Sequence, residues 1–269
     1  MAESDKVFAG SIPEYYDRYL VPLMFQIYAE DMARRVAARS PSTVLEIAAG
    51  TGVVTRAMTA ALPAASYVAT DLNEPMLAYA RSRQPEGSRA IWRQADAQAL
   101  PFEDASFEAV CCQFGAMFFP DRVEAYREVK RVLTPGGLFV FNVWDRIEEN
   151  VLAKEITDAI SELFPDDPPL FLARTPHGYH DTARIGSELR AAGFSQFDIE
   201  TRAEQSRAPS PQTPALAFCR GTPLRNEIEA KGASALEAAI DHAAKVIAMR
   251  HGDGQVCAKI QAHVITAIA

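Results

Sequence analysis

Nine consecutive residues constrain the fold more than any other feature: Val44-Leu45-Glu46-Ile47-Ala48-Ala49-Gly50-Thr51-Gly52. An apolar run ends in a glycine turn, and a helical pattern opens at Val53. This is the signature of a strand feeding a helix through a tight turn. Gly50 and Gly52 let a ligand approach the backbone where a Cβ would obstruct it. The helix that follows presents free N–H groups and a partial positive charge, which suit a carboxylate or a phosphate.

The pattern repeats downstream. Tyr67 to Thr70 reads as a second strand ending on Asp71, and Asn73 and Pro75 suit the start of a helix to about Arg83. Further strands are expected over Ala90 to Arg93, Phe107 to Gln113 and Leu138 to Trp144. A helix over Asp121 to Leu133 precedes the turn Thr134-Pro135-Gly136-Gly137. Strands alternating with helices imply right-handed crossovers and a parallel sheet. The expected fold is α/β: a Rossmann-like, doubly wound, seven-stranded sheet, mostly parallel, with an antiparallel last strand.

Helical patterns flank this core. Tyr15, Tyr19, Leu23 and Ile27 recur at helical spacing, and Pro22 is expected to split that stretch into two helices. Residues 1–42 are therefore read as an N-terminal helical cap and 43–269 as the main domain. Within it, Gln196 to Thr201 is a strand and the alternation from Ile260 to Ile268 a last strand. Between these two, residues 207–255 read as a helical insertion, its final helix opened by the capping box Ser234-Ala-Leu-Glu237.

Composition narrows the function. With 269 residues, 48% hydrophobic and 23% charged, the chain can bury a substantial core. A net charge of −8 with no Lys/Arg run argues against a nucleic-acid partner. No apolar run reaches the roughly 20 residues that span a bilayer, and Met1 to Phe8 lacks an apolar signal core, so no membrane partner and a cytoplasmic location are expected. Four cysteines, two adjacent in an apolar run, have no metal-ligand spacing, and no HxxxH, HExxH or CxxC occurs, so no metal is expected.

The ligand class follows from the acidic residues. Asp71 closes the next strand about 20 residues after Gly52, where such folds hold ribose hydroxyls. A dinucleotide fingerprint needs a third glycine where Val53 to Thr55 stand. Glu46, inside the first strand, suits a cationic amine better than a pyrophosphate. Both departures favour a nucleoside carrying an amino acid over NAD.

At this point the chain resembles the class I S-adenosylmethionine-dependent methyltransferases, in the small-molecule branch called type 11. Four blocks match in order over about residues 43 to 145: VLEIAAGTG, ATDLN, QADAQALPFEDASFEAV and REVKRVLTPGGLFV. The family usually has glycine where this chain has Ala48. The resemblance implies S-adenosylmethionine as cofactor, S-adenosylhomocysteine as product, and a set of roles. Glu46, Ala48, Gly50 and Gly52 would face the methionine amine and carboxylate. Asp71 would hold the ribose, Leu72 and Met76 would line the adenine, and Asp96 and Ala97 would meet its amine. Gln113 and Phe114 would flank the sulfonium, and Leu138 to Trp144 would be a structural strand. The first helices would close over the cofactor, bringing Tyr15, Tyr16 or Tyr19 to it.

Methyl transfer from a sulfonium needs alignment and exclusion of water more than a dedicated base. The catalytic residue is accordingly unread; His177 and His180, in a loop, are the candidates for a general base. The place of Asn/Asp-Pro-Pro-Tyr/Phe in enzymes that methylate adenine or glutamine amines is filled by Gln113-Phe114-Gly115-Ala116. A small-molecule acceptor is therefore expected, methylated on oxygen or carbon, by a monomer or homodimer. A non-catalytic S-adenosylmethionine-binding or regulatory protein, and an NAD-dependent oxidoreductase, are the alternatives.

Overall fold

The computed structural model describes Asp5 and residues 8–269. Residues 1–4, 6 and 7, at the start of the expected N-terminal cap, lie outside the described residues. Seven strands form one sheet: β1 Thr43–Glu46, β2 Ser66–Asp71, β3 Ile91–Gln94, β4 Phe107–Gln113, β5 Leu133–Trp144, β6 Gln196–Ala208 and β7 Val256–Ile268. Their spatial order is β3-β2-β1-β4-β5-β7-β6. Only β7 runs against its neighbours, β5 and β6. The strand order reverses between β1 and β4, and that switch point opens a crevice at the carboxyl ends of the strands.

The helices are α1 Ile12–Tyr15, α2 Gln26–Ala37, α3 Val53–Ala61, α4 Glu74–Ser82, α5 Arg122–Val132, α6 Val151–Leu163, α7 Phe171–Arg174, α8 Thr182–Ala191, α9 Gln212–Gly221, α10 Leu224–Glu229 and α11 Ala235–His251. Asp121 caps α5 through its side chain, and Asp181 caps α8. Gly193, at φ +95°, ends the α8 region as expected of a left-handed stop. β1 and β4 are mostly buried, because helices cover both faces of the sheet.

Three local expectations fail, each for a physical reason. Pro22 does not break the N-terminal helix. Tyr16–Phe25 instead winds as a π-helix joining α1 to α2. Wide turns move the carbonyl four residues back away from the proline ring, which an α-helix cannot do. Ser234 makes no side-chain cap, because it sits in helical backbone and Glu237 pairs with Arg220 of α9 instead. The turn at Thr134 to Gly137 is part of β5, since Leu133 already pairs with Phe107.

The inserted helices α9 to α11 lie between β6 and β7. α9 packs on the π-helix and α11 on α6. The approach is close at Gly221, where an added Cβ would stand 3.1 Å from Leu20 Cδ1 and 3.2 Å from the Tyr16 nitrogen. The end of α9 thus fixes the backbone that carries Tyr16. No helix among the described residues is long and apolar enough to cross a membrane.

Candidate functional site

The crevice at the switch point is a cavity of about 180 Å³. One end is built from the loops after β1, β2 and β3. Ala48 and Gly50 follow β1, both in left-handed backbone at φ +55° and +56°. An added Cβ at Gly50 would meet nothing within 4 Å, so its backbone is open to a ligand. Asp71 ends β2 and lines the cavity beside Leu72 and Met76. Its Oδ2 accepts from the Gly50 N–H at 2.8 Å, and its Oδ1 from the Asn73 N–H at 2.8 Å. These bonds hold the carboxylate down against burial, which pushes its pKa above the ordinary range. Asp96 and Ala97 complete this end. Asp96 turns on itself, its Oδ1 accepting from the Gln98 N–H at 2.9 Å.

The other end is aromatic. Phe8, Tyr16, Phe25, Phe118, Trp144 and Phe171 contribute to its wall. Phe114, at φ +49°, stacks on Trp144 with ring centres 3.8 Å apart and planes within 6°. Phe25 packs at 5.4 Å from Phe114 and stacks on Tyr16 at 4.8 Å. Gln113 and Phe114, at the end of β4, also line the cavity, and β4 lies between β1 and β5 in the sheet.

Several residues expected at the site stand elsewhere. Glu46 is sealed inside, 1% exposed, and is not part of the cavity wall. Its Oε2 accepts from Thr55 Oγ1 at 2.5 Å and from Tyr67 Oη at 2.7 Å. Burial pushes its carboxyl up to about 7, the two hydroxyls opposing. Gly52 also lies off the wall and serves as the left-handed cap of α3. Tyr15 and Tyr19 stack on each other at 5.8 Å, outside the cavity, under Arg220 and Arg18. Wide π turns rotate the helix face relative to 3.6-residue spacing, so Tyr16 faces inward in their place.

The two candidate histidines do not reach the cavity wall either. His177 Nδ1 stands 2.8 Å from the Asp145 carbonyl, and burial pushes the ring down to about 4. His180 Nδ1 stands 2.8 Å from the His177 carbonyl. His177 therefore holds the loop to the residue after β5, and His180 braces the loop on itself. Cys111 and Cys112 are buried, and burial keeps both thiols protonated, with Cys112 pushed up to about 12.

Sequence reasoning missed the aromatic wall. Trp144 was assigned to a structural strand, yet it ends β5 beside the switch point. That position at the carboxyl end of a neighbouring strand was the available signal. It also missed a clamp from the N-terminal segment: Asp17 Oδ1 pairs with Arg56 Nη2 at 2.8 Å, and Arg56 Nη1 donates to the Thr51 carbonyl at 2.8 Å. The π-helix is thereby tied to the glycine turn.

A family described as "Methyltransferase domain" matches residues 45–141. The chain is 40% identical to the demethylmenaquinone methyltransferase of Thermus thermophilus, over 38% of this chain and 47% of that one. It is 31% identical to a ubiquinone/menaquinone biosynthesis C-methyltransferase of Saccharophagus degradans, over 59% of this chain and 69% of that one. The match thus spans about half the length of the first relative and about two thirds of the second. Among solved structures, the YcgJ protein of Bacillus subtilis aligns over 90% of this chain and 98% of its own, with a TM-score of 0.57 at 20% identity.

Proposed function

The chain belongs to the S-adenosylmethionine-dependent methyltransferases of the methyltransferase-domain family, and from that premise we propose that it methylates a ring carbon of a small, electron-rich aromatic acceptor, of the reduced-quinone type. The observation that carries the reading is the two-ended cavity. A carboxylate and open glycine backbone come from the loops after β2 and β1, an aromatic wall from β5 and the N-terminal segment, and Gln113 and Phe114 from the end of β4, which lies between β1 and β5.

The residues present fit the cofactor. Gly50 offers unobstructed backbone, and Asp71 offers a carboxylate at the end of β2 with a lone pair beyond those its three N–H donors use. Asp71 would hold the ribose hydroxyls, and Leu72, Met76 and Ala97 would enclose the adenine. When bound, the cofactor supplies a methyl group on a sulfonium, an electrophile that needs no further activation. The face of an aromatic ring such as Tyr16 favours that cation by on the order of 1 kcal/mol.

The aromatic end argues for carbon as the nucleophile. Among its described wall residues none carries a base that titrates near neutrality. Tyr16 is kept protonated by burial, reinforced by the Asp71 and Asp17 carboxylates. Methylating a neutral hydroxyl requires a proton acceptor at the moment of transfer. A ring carbon activated by an adjacent hydroxyl does not. It would take the methyl group without one, its ring proton being lost in a separate step once the product meets solvent. Phe114 and Trp144, stacked on each other, line the slot for such a ring, and the surrounding aromatics exclude water.

Titration calorimetry with S-adenosylhomocysteine tests the first half of the reading, with binding in the micromolar range as the expected result. Labelled S-adenosylmethionine with a panel of reduced naphthoquinones and catechols tests the second. Label on carbon supports the reading; label on oxygen alone, or none with any acceptor, overturns it.

A further inference from the structure

Asn142 is the one polar side chain in the run Leu138-Phe139-Val140-Phe141-Asn142-Val143-Trp144 of β5. It is 1% exposed. A buried amide costs free energy unless it is hydrogen-bonded, so its place in an apolar strand calls for a partner. The Phe114 N–H donates to Asn142 Oδ1 at 2.9 Å. The same N–H is shared with the Asn142 main-chain carbonyl, at 3.1 Å. A valine or leucine at 142 would keep the main-chain bond and suit a buried strand. What the asparagine adds is therefore a second oxygen on Phe114.

Phe114 needs such a hold. It stands at φ +49°, in left-handed backbone that a bulky residue adopts only at a cost. Backbone of this kind persists where its surroundings over-determine it, and it gathers at ligand sites. Here the chain leaves β4 at Gln113 and turns at Phe114, whose ring stacks on Trp144 with centres 3.8 Å apart. Both residues line the cavity. The Tyr28 ring stands edge-on to both, at 5.4 and 5.5 Å. We propose that Asn142 is a positioning residue: its side-chain oxygen holds Phe114 in the left-handed turn that stacks it on Trp144, and so sets the wall against which the methyl acceptor is placed. Asn142 is not part of that wall and acts through Phe114. The inference rests on the aromatic-acceptor reading above for its ligand.

Two variants separate the oxygen from the bulk. Asn142→Leu keeps the size and removes the acceptor; Asn142→Asp keeps an oxygen at the same reach. The first measurement needs no ligand. Trp92→Phe leaves Trp144 as the only tryptophan, and its near-ultraviolet circular dichroism reports the stack. Asn142→Leu is expected to change that spectrum, and Asn142→Asp to retain it. The second measurement is equilibrium binding of 1,4-dihydroxynaphthalene to the S-adenosylhomocysteine-loaded protein, without oxygen. Asn142→Leu should weaken the diol about tenfold and leave S-adenosylhomocysteine within about threefold, while Asn142→Asp stays within about threefold on both. An unchanged spectrum in Asn142→Leu overturns the inference. So does a parallel loss of both affinities, which a merely structural role would give, or an Asn142→Asp variant as impaired as Asn142→Leu. Asn142→Val, also without the oxygen, takes its place should Asn142→Leu fail to melt cooperatively. In the wild-type protein the Phe114 amide proton should exchange with solvent as slowly as those of β4; fast exchange overturns the inference without any variant. Failure of the wild-type protein to bind the diol would instead sink the aromatic-acceptor reading, with the spectrum still deciding the role of Asn142.

Discussion

The Cβ that Gly115 lacks would stand 2.5 Å from the Cβ of Ala48 and 2.8 Å from Cys112 Sγ. The loops after β1 and β4 are thus in contact through a missing side chain, and both residues line the cavity. Gly115→Ala is therefore expected to destabilise the protein by about 1–3 kcal/mol through overpacking, and to weaken S-adenosylhomocysteine binding. Ala48 holds left-handed backbone at φ +55°, which a glycine adopts without strain. Ala48→Gly alone should be near neutral, strain relief offsetting the extra freedom of the unfolded chain. Combined with Gly115→Ala it should recover most of the lost stability, since it removes the clashing methyl. A melting-temperature cycle over the four proteins checks this; additive losses would show that the Cys112 contact dominates.

Asp71 joins the glycine turn to the second strand through the Gly50 N–H at 2.8 Å. It also offers the carboxylate for the ribose. Asp71→Ala removes both, and hydrogen bonds to a charged group contribute about 1.5–3 kcal/mol each. Affinity for S-adenosylhomocysteine should fall at least tenfold. Asp71→Asn, which keeps an oxygen for Gly50, should fall less. Calorimetry that finds both variants at wild-type affinity would remove Asp71 from the cofactor site.

Arg56 acts at a distance from the ligand. It bridges Asp17 of the π-helix and the Thr51 carbonyl of the glycine turn. Asp17 is 8% exposed at its side chain and Arg56 25%, so the pair is partly shielded from water. Arg56→Met keeps the aliphatic stem but frees the N-terminal segment. We expect cofactor affinity to drop a few-fold and proteolysis within residues 8–25 to accelerate. Unchanged proteolysis would mean that the contact of α9 with the π-helix, at Gly221, holds the segment by itself.

The sheet was legible because its signals are local. Apolar runs bounded by glycine, proline and aspartate mark strands whatever they pack against, and the order of βα units fixes the parallel core. Asp71, Leu72, Met76, Asp96, Ala97, Gln113 and Phe114 line the cavity because strand ends near a switch point must face it. The aromatic wall was not legible. It gathers Phe8, Phe25, Trp144 and Phe171 from segments far apart in sequence, and such a meeting depends on tertiary packing. Sequence left Tyr15, Tyr16 and Tyr19 open; only Tyr16 lines the cavity, because a 3.6-residue period does not hold in a segment that winds more widely. Glu46 was legible as unusual but not as to direction. An acidic residue in a buried strand announces a polar partner, and only the fold reveals that Thr55 and Tyr67 supply it.

Glu46 gives the last prediction, on pH. Its carboxyl stands at about 7 in the folded protein against 4.5 for an ordinary glutamate, chiefly through burial. A carboxyl with a raised folded pKa holds its proton more tightly in the fold than in the unfolded chain. Its contribution is fully present below about pH 4.5 and is lost as pH rises through about 7, because the unfolded chain then gains by ionising. The loss approaches ~3 kcal/mol above pH 7 as an order of magnitude. Glu46→Gln cannot ionise, and its side-chain oxygen still accepts from Thr55 and Tyr67. The variant should melt with the wild-type protein near pH 5 and above it at pH 8, by on the order of 5–10 °C. Since Glu46 is not part of the cavity wall, affinity for S-adenosylhomocysteine should stay within about threefold of wild type. A variant less stable than wild type at pH 8 would show that the carboxylate is charged and satisfied in the fold. A large loss of cofactor affinity would return Glu46 to the role its place in the first motif implied.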